Sequence, residues 1–486
     1  MKIRVLWLSA AAALVVAAAL AGCGGTTYFA GRNLPPSGLT NRVMIAIQNP
    51  SAFAKGSLQF VDAYYDIRSG YNGKPGSFSI SGYSGALPIS IQNMPEEQLG
   101  FVYGSGDGSF DPVSYAKENT STAVSGLNGL SSSVFTTRNQ NFVFAASQNS
   151  HVLTVVDHTN NNSYPLGLPG VYRVSVNPGG SMAIAFVQNS NYAYYPIKLS
   201  AAQTVSYSGG PTTWPRAAVD CEPLNAPGWC LLQAQSPDNL DATGHYYGAP
   251  LVFDRPVKAV FSTDGGTAYV LNCGPECGGH AASITAIPVA PMIFLIGQGS
   301  GTLPTNPALA AATLAIPGGA SNALVDSAIM YVVGQQPQQV NGQTLFGGNL
   351  TIVNLSNNTA SSPISISDGQ PGAASRMLEA DNSTLWIAMT KCNQGVRAAT
   401  GQPYGCLTMF NTSNSTVTML EPYLGDATGI AAVTGLNKIY TTEGGQVYIY
   451  TTTDGIALDN QYVTVTGTAF DVAYMDATTD ANNTVY

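Results

Sequence analysis

Phe261-Ser262-Thr263-Asp264-Gly265-Gly266-Thr267-Ala268-Tyr269-Val270-Leu271-Asn272, resumed at Ser283-Ile284-Thr285-Ala286-Ile287, is the stretch whose reading decides the fold. Apolar and β-branched residues on either side of Asp264-Gly265 read as two strands joined by a tight turn. Glycine supplies the positive φ that such a hairpin corner requires. A third strand follows from Ser283, after a loop that holds Cys273, Cys277 and His280. Elsewhere helical periodicity hardly occurs. Short runs rich in Val, Ile, Tyr, Phe and Thr, separated by Gly, Asn, Asp and Pro clusters, dominate the chain. The pattern is all-β.

Working outward, cousins of this unit lie at 42–62, 89–124, 133–157, 172–195, 329–354, 385–411 and 429–450. A unit that recurs at this spacing is the mark of stacked modules. The first unit begins at its second strand, and residues 470–475 form a lone first strand at the other end. A closed ring explains both halves, because the late strand completes the early blade and removes an exposed sheet edge. The expectation is a β-propeller of four-stranded blades. Eight units are counted, with seven left open by irregular stretches at 211–255 and 289–318.

Four segments carry a family resemblance: Asn177-Pro178-Gly179-Gly180, Ser262-Thr263-Asp264-Gly265, Tyr269-Val270-Leu271-Asn272 and Val152-Leu153-Thr154-Val155-Val156-Asp157. They resemble the YVTN-type β-propeller repeat across residues 41–486, most cleanly in the third to fifth units. The sixth and seventh units depart from it by insertions at 334–348 and 390–405. The resemblance implies a propeller of four-stranded blades. It implies no single function, since members include surface proteins, binding scaffolds and lactonase-like enzymes.

At the N-terminus, Lys2 and Arg4 precede an apolar run over residues 5–19 and then Leu20-Ala21-Gly22-Cys23. The run is short for a spanning helix and ends in small residues, as a secretory signal does. Leu-Ala-Gly-Cys also resembles the lipobox of bacterial lipoproteins. The resemblance covers residues 1–23 and implies that 1–22 is a signal peptide and that Cys23 is acylated. Residues 23–40 then serve as a tether, and 41–486 is the propeller domain. The first partner implied is a membrane, held through lipid, and the location is the bacterial cell envelope, at the outer membrane or cell surface.

Apart from Cys23, the cysteines are Cys221, Cys230, Cys273, Cys277, Cys392 and Cys406. Fifteen pairings are open to six cysteines, and proximity favours 221–230, 273–277 and 392–406. Such bridges suit an oxidising compartment. Each closes a short loop, a contribution of about 2–3 kcal/mol on the chain-entropy account. A net charge of −9, with only 18 Lys and Arg, gives no basic footprint and excludes nucleic acid as a partner.

Motifs for chemistry are sparse. No nucleophile elbow, Walker loop or dinucleotide glycine motif is present, and no cofactor is expected. Cys273, Cys277 and His280 have the spacing of soft metal ligands, but an export compartment favours the bridge, and no metal is expected. Asp107-Gly108-Ser109-Phe110-Asp111 places oxygens at alternate positions as a calcium loop does. It lacks the glycine at the sixth position and the distal Glu of such a loop, and reads as a hairpin turn. His151 and His158 flank a third strand without metal-ligand spacing. The 25 Tyr and four Trp fall mostly at alternating strand positions, which suits blade packing.

Arg173, Lys258, Arg376 and Asp471 lie on or just before first strands, which converge on the channel of a propeller. Three cations near one axis make a candidate site for an anionic ligand. The expected function is a non-catalytic scaffold that binds an envelope protein, glycan or peptidoglycan, with the long second-to-third-strand loops meeting the partner. The alternative is a lactonase-like hydrolase with its site in the channel, for which first strands supply few His, Asp and Glu residues.

Overall fold

The computed structural model describes residues 34–479 apart from 50, 52–53, 67–77, 200–217, 223–227, 237–248, 293–310, 341, 368–370, 393–405 and 421–424. Cys23 and the first part of the tether lie outside the described residues. The structure forms eight antiparallel sheets, each a blade. Their inner strands are, in ring order, Thr468–Tyr474, Pro88–Met94, Ser133–Thr136, Val171–Val176, Pro256–Phe261, Asn322–Asp326, Ala373–Ala380 and Ala427–Val433. Inner strands of neighbouring blades pack side by side around the axis. Among the described residues, no helix is long and apolar enough to cross a membrane.

The opening stretch is the fifth blade. Pro256–Phe261, Thr267–Asn272 and Ser283–Pro288 pair in succession, and Ala312–Ala315 adds the outer strand. The turn is centred one residue earlier than Asp264-Gly265. Thr263 and Asp264 occupy its centre, the Gly265 amide donates to the Ser262 carbonyl at 2.8 Å, and Gly265 takes φ +70° at the exit. Asp264 Oδ1 fixes the corner by accepting from the Gly266 amide at 2.9 Å and from the Ser262 hydroxyl at 2.5 Å.

Ring closure is as expected. Thr468–Tyr474 pairs with Arg42–Gln48, which pairs in turn with Ser57–Asp62. The residues around Ser79 form the outer edge of this blade, bonding through the Phe60 and Ile80 amides at 3.0 Å each. Arg42 clasps the seam. Its Nη2 reaches Asp476 Oδ1 at 2.6 Å and its Nη1 reaches Glu118 Oε1 at 2.8 Å, with all three side chains buried.

Both irregular stretches resolve without changing the count of eight. The pair around Cys221 and Trp229-Cys230 belongs to the fourth blade, in the order Val171–Val176, Ala183–Val187, Ala193–Lys198, Trp229–Gln233, Ala218–Glu222. The later strand inserts between its predecessors, so two pieces that read as a surplus unit are one blade's outer margin. Of 289–318, Ala312–Ala315 is the fifth blade's outer strand, while 293–310 lies outside the described residues. The insertion at 334–348 is continuous sheet: Ile329–Val340 pairs with Gln343–Asn354 along its whole length. In the second blade the outer strand is Asn119–Thr120, within the expected unit 89–124.

The core lies in the seams between blades. Along Phe142–Ser147, Phe142, Phe144 and Ala146 pack toward Trp229 and Leu231 of the fourth blade, while Val143 and Ala145 pack toward Phe101 and Tyr103 of the second. Side chains alternate between faces, but each face meets a neighbouring blade, so the strand reads as a continuous apolar run. Burying each Phe or Val side chain here stabilises by about 1.5–3 kcal/mol. Asp157, buried in one seam, is bonded twice: it accepts from Trp229 Nε1 at 3.1 Å and pairs with Lys198 at 2.6 Å.

All three favoured cysteine pairs are bonded. Cys221 and Cys230 are directly paired residues of the two outermost strands of the fourth blade. Cys273 and Cys277 close the turn Gly274–Cys277, and Cys392 and Cys406 close the loop between strands Thr384–Thr390 and Leu407–Asn411.

Candidate channel site

Six of the eight inner strands carry one extra residue against their second strand. The extra residues are Ile89, Tyr172, Val257, Ser375, Thr428 and Phe470. A bulge of this kind bends the strand and re-aims the side chain that follows. Hydrogen bonding places Ser132 and Ser321 equivalently in the other two blades. Their hydroxyls donate to the second-strand carbonyls of Ala146 at 3.2 Å and Val333 at 3.4 Å, as Ser375 does to Ala388 at 3.1 Å.

The residue after each of these positions forms one level of a ring. In blade order it holds Asp471, Ser90, Ser133, Arg173, Lys258, Asn322, Arg376 and Gly429. All four charged residues singled out from the sequence are therefore at equivalent places. Each ring residue pairs near the end of its second strand, so the ring faces the same side of the molecule as the second-to-third-strand loops.

Contacts within the ring run from blade to blade in one sense. Arg173 Nη1 donates to the Val257 carbonyl at 3.2 Å, and Lys258 Nζ donates to Asn322 Oδ1 at 3.0 Å. Arg376 Nη2 lies 3.3 Å from Asp471 Oδ2, which also accepts from the Ile91 amide at 2.8 Å. The Arg376–Asp471 pair spans the eighth blade, where the ring residue is Gly429. A Cβ there would lie 2.5 Å from Asp471 Oδ1, so glycine leaves the space in which the pair meets. Among the described residues, Arg376 Nε is buried without a hydrogen-bond partner.

The cations act on one another. Burial holds the Lys258 amine well below the usual lysine range, and Arg173 and Arg376 push it further down. Burial raises the Asp471 carboxyl, against the opposing pull of Arg376 and the Ile91 and Val472 amides. Three bases and one acid share the ring, so an anion entering from the loop face meets an excess of positive charge in a low-dielectric setting.

The other candidates are scattered. His151 sits in a turn with φ +58°, His158 Nδ1 lies 2.7 Å from the Gln140 carbonyl, and the His280 side chain is 96% exposed. The 273–277 bridge removes both thiolates from metal binding. Its loop instead docks on the next blade, where Glu276 accepts from the Gln335 amide at 2.9 Å and from Gln335 Nε2 at 2.6 Å. The sequence reading missed Ser90, Ser133, Asn322 and Gly429. A Ser or Thr just before the ring position in four blades (Ser132, Ser321, Ser375, Thr428) is the signal that marks the register.

No protein-family model matches the chain, and no curated protein sequence matches it. Solved structures do. Kuenenia stuttgartiensis hydrazine synthase aligns at 13% identity and TM-score 0.46 over 79% of this chain and 100% of that one. The dihydro-heme d1 dehydrogenase NirN aligns at 10% identity and TM-score 0.49 over 90% and 75%. The Pseudomonas aeruginosa periplasmic gluconolactonase PpgL aligns at 10% and 0.46 over 89% and 98%. The chain's own ring of eight sheets, not these likenesses, makes it a β-propeller.

Proposed function

We propose that this protein is a non-catalytic binding scaffold of the bacterial cell envelope, anchored by lipid at Cys23, whose channel mouth captures an anionic group of its partner. One observation carries the binding part: Arg173, Lys258 and Arg376 converge on a single ring level with Asp471 as the acid. The anchor and the envelope location rest on the lipobox-like Leu20-Ala21-Gly22-Cys23 and on three disulfides, which suit an oxidising compartment. A carboxylate of a peptide, an acidic glycan or peptidoglycan has the chemistry the ring would recognise. The histidines among the described residues sit in turns and loops, none on an inner strand, and this favours binding over general-base hydrolysis.

Binding and protonation are linked in this reading. An anion beside Lys258 offsets the repulsion from Arg173 and Arg376, so occupancy raises the amine's affinity for its proton. Affinity for a small tricarboxylate such as citrate should therefore rise as pH falls, and calorimetry in two buffers should record proton uptake. Lys258→Met should remove the pH dependence and weaken binding at least tenfold. Lactone turnover by the purified chain, or citrate affinity unchanged in Lys258→Met, would overturn the proposal.

A further inference from the structure

Eight buried side-chain polar atoms lack a hydrogen-bond partner among the described residues, and three of them share one spot. They are Tyr83 Oη, Ser109 Oγ and Asp111 Oδ2. Buried polar atoms are normally bonded, so three unsatisfied oxygens together mark a place where something else binds. The spot lies under the loop between strands Leu99–Gly104 and Phe110–Ser114 of the second blade. The hairpin turn read from Asp107-Gly108-Ser109-Phe110-Asp111 is present there, with Gly108 at φ +74°.

Two glycines let these oxygens approach the backbone closely. A Cβ at Gly85 would lie 2.4 Å from Ser109 Oγ and 2.5 Å from Tyr83 Oη. A Cβ at Gly104 would lie 2.6 Å from Ser109 Oγ, 2.8 Å from the Ala86 carbonyl oxygen and 2.9 Å from Asp107 Oδ1. Four oxygens from two chain segments, Tyr83 Oη, Ser109 Oγ, the Ala86 carbonyl and Asp107 Oδ1, thus crowd the two glycines. Asp107 is already oriented, its Oδ2 accepting from the Ala86 amide at 3.0 Å and its Oδ1 from the Ser109 amide at 3.1 Å. Asp111 is 1% exposed; among the described residues its Oδ2 has no partner in good hydrogen-bond geometry, while the Ser109 hydroxyl and the Asp107 carboxylate act on its carboxyl.

From this geometry we propose that Asp107, Ser109, Asp111 and Tyr83, with the Ala86 carbonyl, form a site for a hard divalent cation, calcium being the best match. The donors are all oxygen: two carboxylates, two hydroxyls and a carbonyl. Calcium accepts six to eight oxygens in flexible geometry, whereas magnesium demands a near-octahedral set and keeps several waters. The negative charge of the two carboxylates is felt across the site. Both raise the Tyr83 hydroxyl further above its ordinary range after burial has done so. The site differs from a helix-flanked calcium loop, because Tyr83 and Ala86 come from the segment preceding the blade. It pins that segment to the hairpin and is separate from the channel ring.

The test uses the full purified chain, stripped with EDTA. Calcium should bind with a stoichiometry of one and raise the melting temperature, and terbium in its place should show luminescence sensitised by tyrosine. Asp111→Asn should abolish the calcium-dependent shift, and Tyr83→Phe should cut the sensitised emission by at least half while leaving the fold intact. Ser109→Ala serves as a milder variant, with an expected five- to tenfold loss of calcium affinity. No saturable binding to the stripped chain, or binding unchanged in Asp111→Asn, would overturn the cation site. Equal affinity for magnesium would overturn the assignment to calcium. A stripped protein that responds only to pH would mean that a proton, shared between Asp111 and its hydroxyl neighbours, takes the cation's place.

Discussion

Glu443 shows how one side chain can set the pH response of a seam. It ends the strand Lys438–Glu443, is fully buried, and accepts at Oε1 from the Thr441 hydroxyl. Burial pushes its carboxyl up to about 7 against the opposing effect of the Thr441 and Tyr450 hydroxyls. Because the folded-state pKa is raised, the folded protein holds the proton more tightly than the unfolded chain does. Stability therefore falls as pH rises from the ordinary glutamate range to about 7, and the loss is complete above that. Glu443→Gln should stabilise by about 3 kcal/mol at pH 8 and change little at pH 4. Urea melts of both proteins at the two pH values give the comparison, and an equal difference at both would refute the assignment.

At the scale of single elements, the fourth blade carries a separable outer margin. Its two outermost strands are joined by Cys221–Cys230, and the intervening sequence closes a nine-residue span. Replacing both cysteines by serine should cost about 2–3 kcal/mol by the chain-entropy account. Hydrogen exchange should locate the loosening in Ala218–Glu222 and Trp229–Gln233 and leave Val171–Val176 protected; uniform loss across the blade would contradict a local role. The elements of the propeller were largely legible in sequence. Alternation, turn glycines such as Gly265, and the split first blade all follow from local pattern. The order within the fourth blade was not legible, because a strand that inserts between two earlier ones leaves no periodic trace. The ring was half legible: charge marked Arg173, Lys258, Arg376 and Asp471, but their common level depends on bulges, which shift register by one without a fixed residue type. The oxygen cluster was legible only as Asp107 to Asp111, since Tyr83 and Ala86 reach it through tertiary packing.

For the whole molecule, the decisive contact is the one that shuts the ring. Arg42 links Asp476 and Glu118 in a buried network, joining the inner margin of the first blade to the second. Arg42→Met would leave two carboxylates buried without their cation and should cost about 3–5 kcal/mol. The triple substitution Arg42→Met, Glu118→Gln, Asp476→Asn should recover most of that loss, because an apolar or neutral replacement carries no stranded charge. Denaturation of the two variants side by side is the measurement. A triple variant no better than the single one would show that the cation packs rather than pairs.

The same closure has a consequence in time. Arg42–Gln48 is made early, yet its edge partner Thr468–Tyr474 is more than 400 residues later in the chain. A ribosome adds residues at about 5–20 per second, so the early strand waits tens of seconds with one edge unpaired. Over that interval it is the natural template for a wrong strand from the same chain or a neighbour. The last seam to form is thus the one most in need of chaperoning during synthesis, and the buried Arg42 clasp is the signature that the wait has ended.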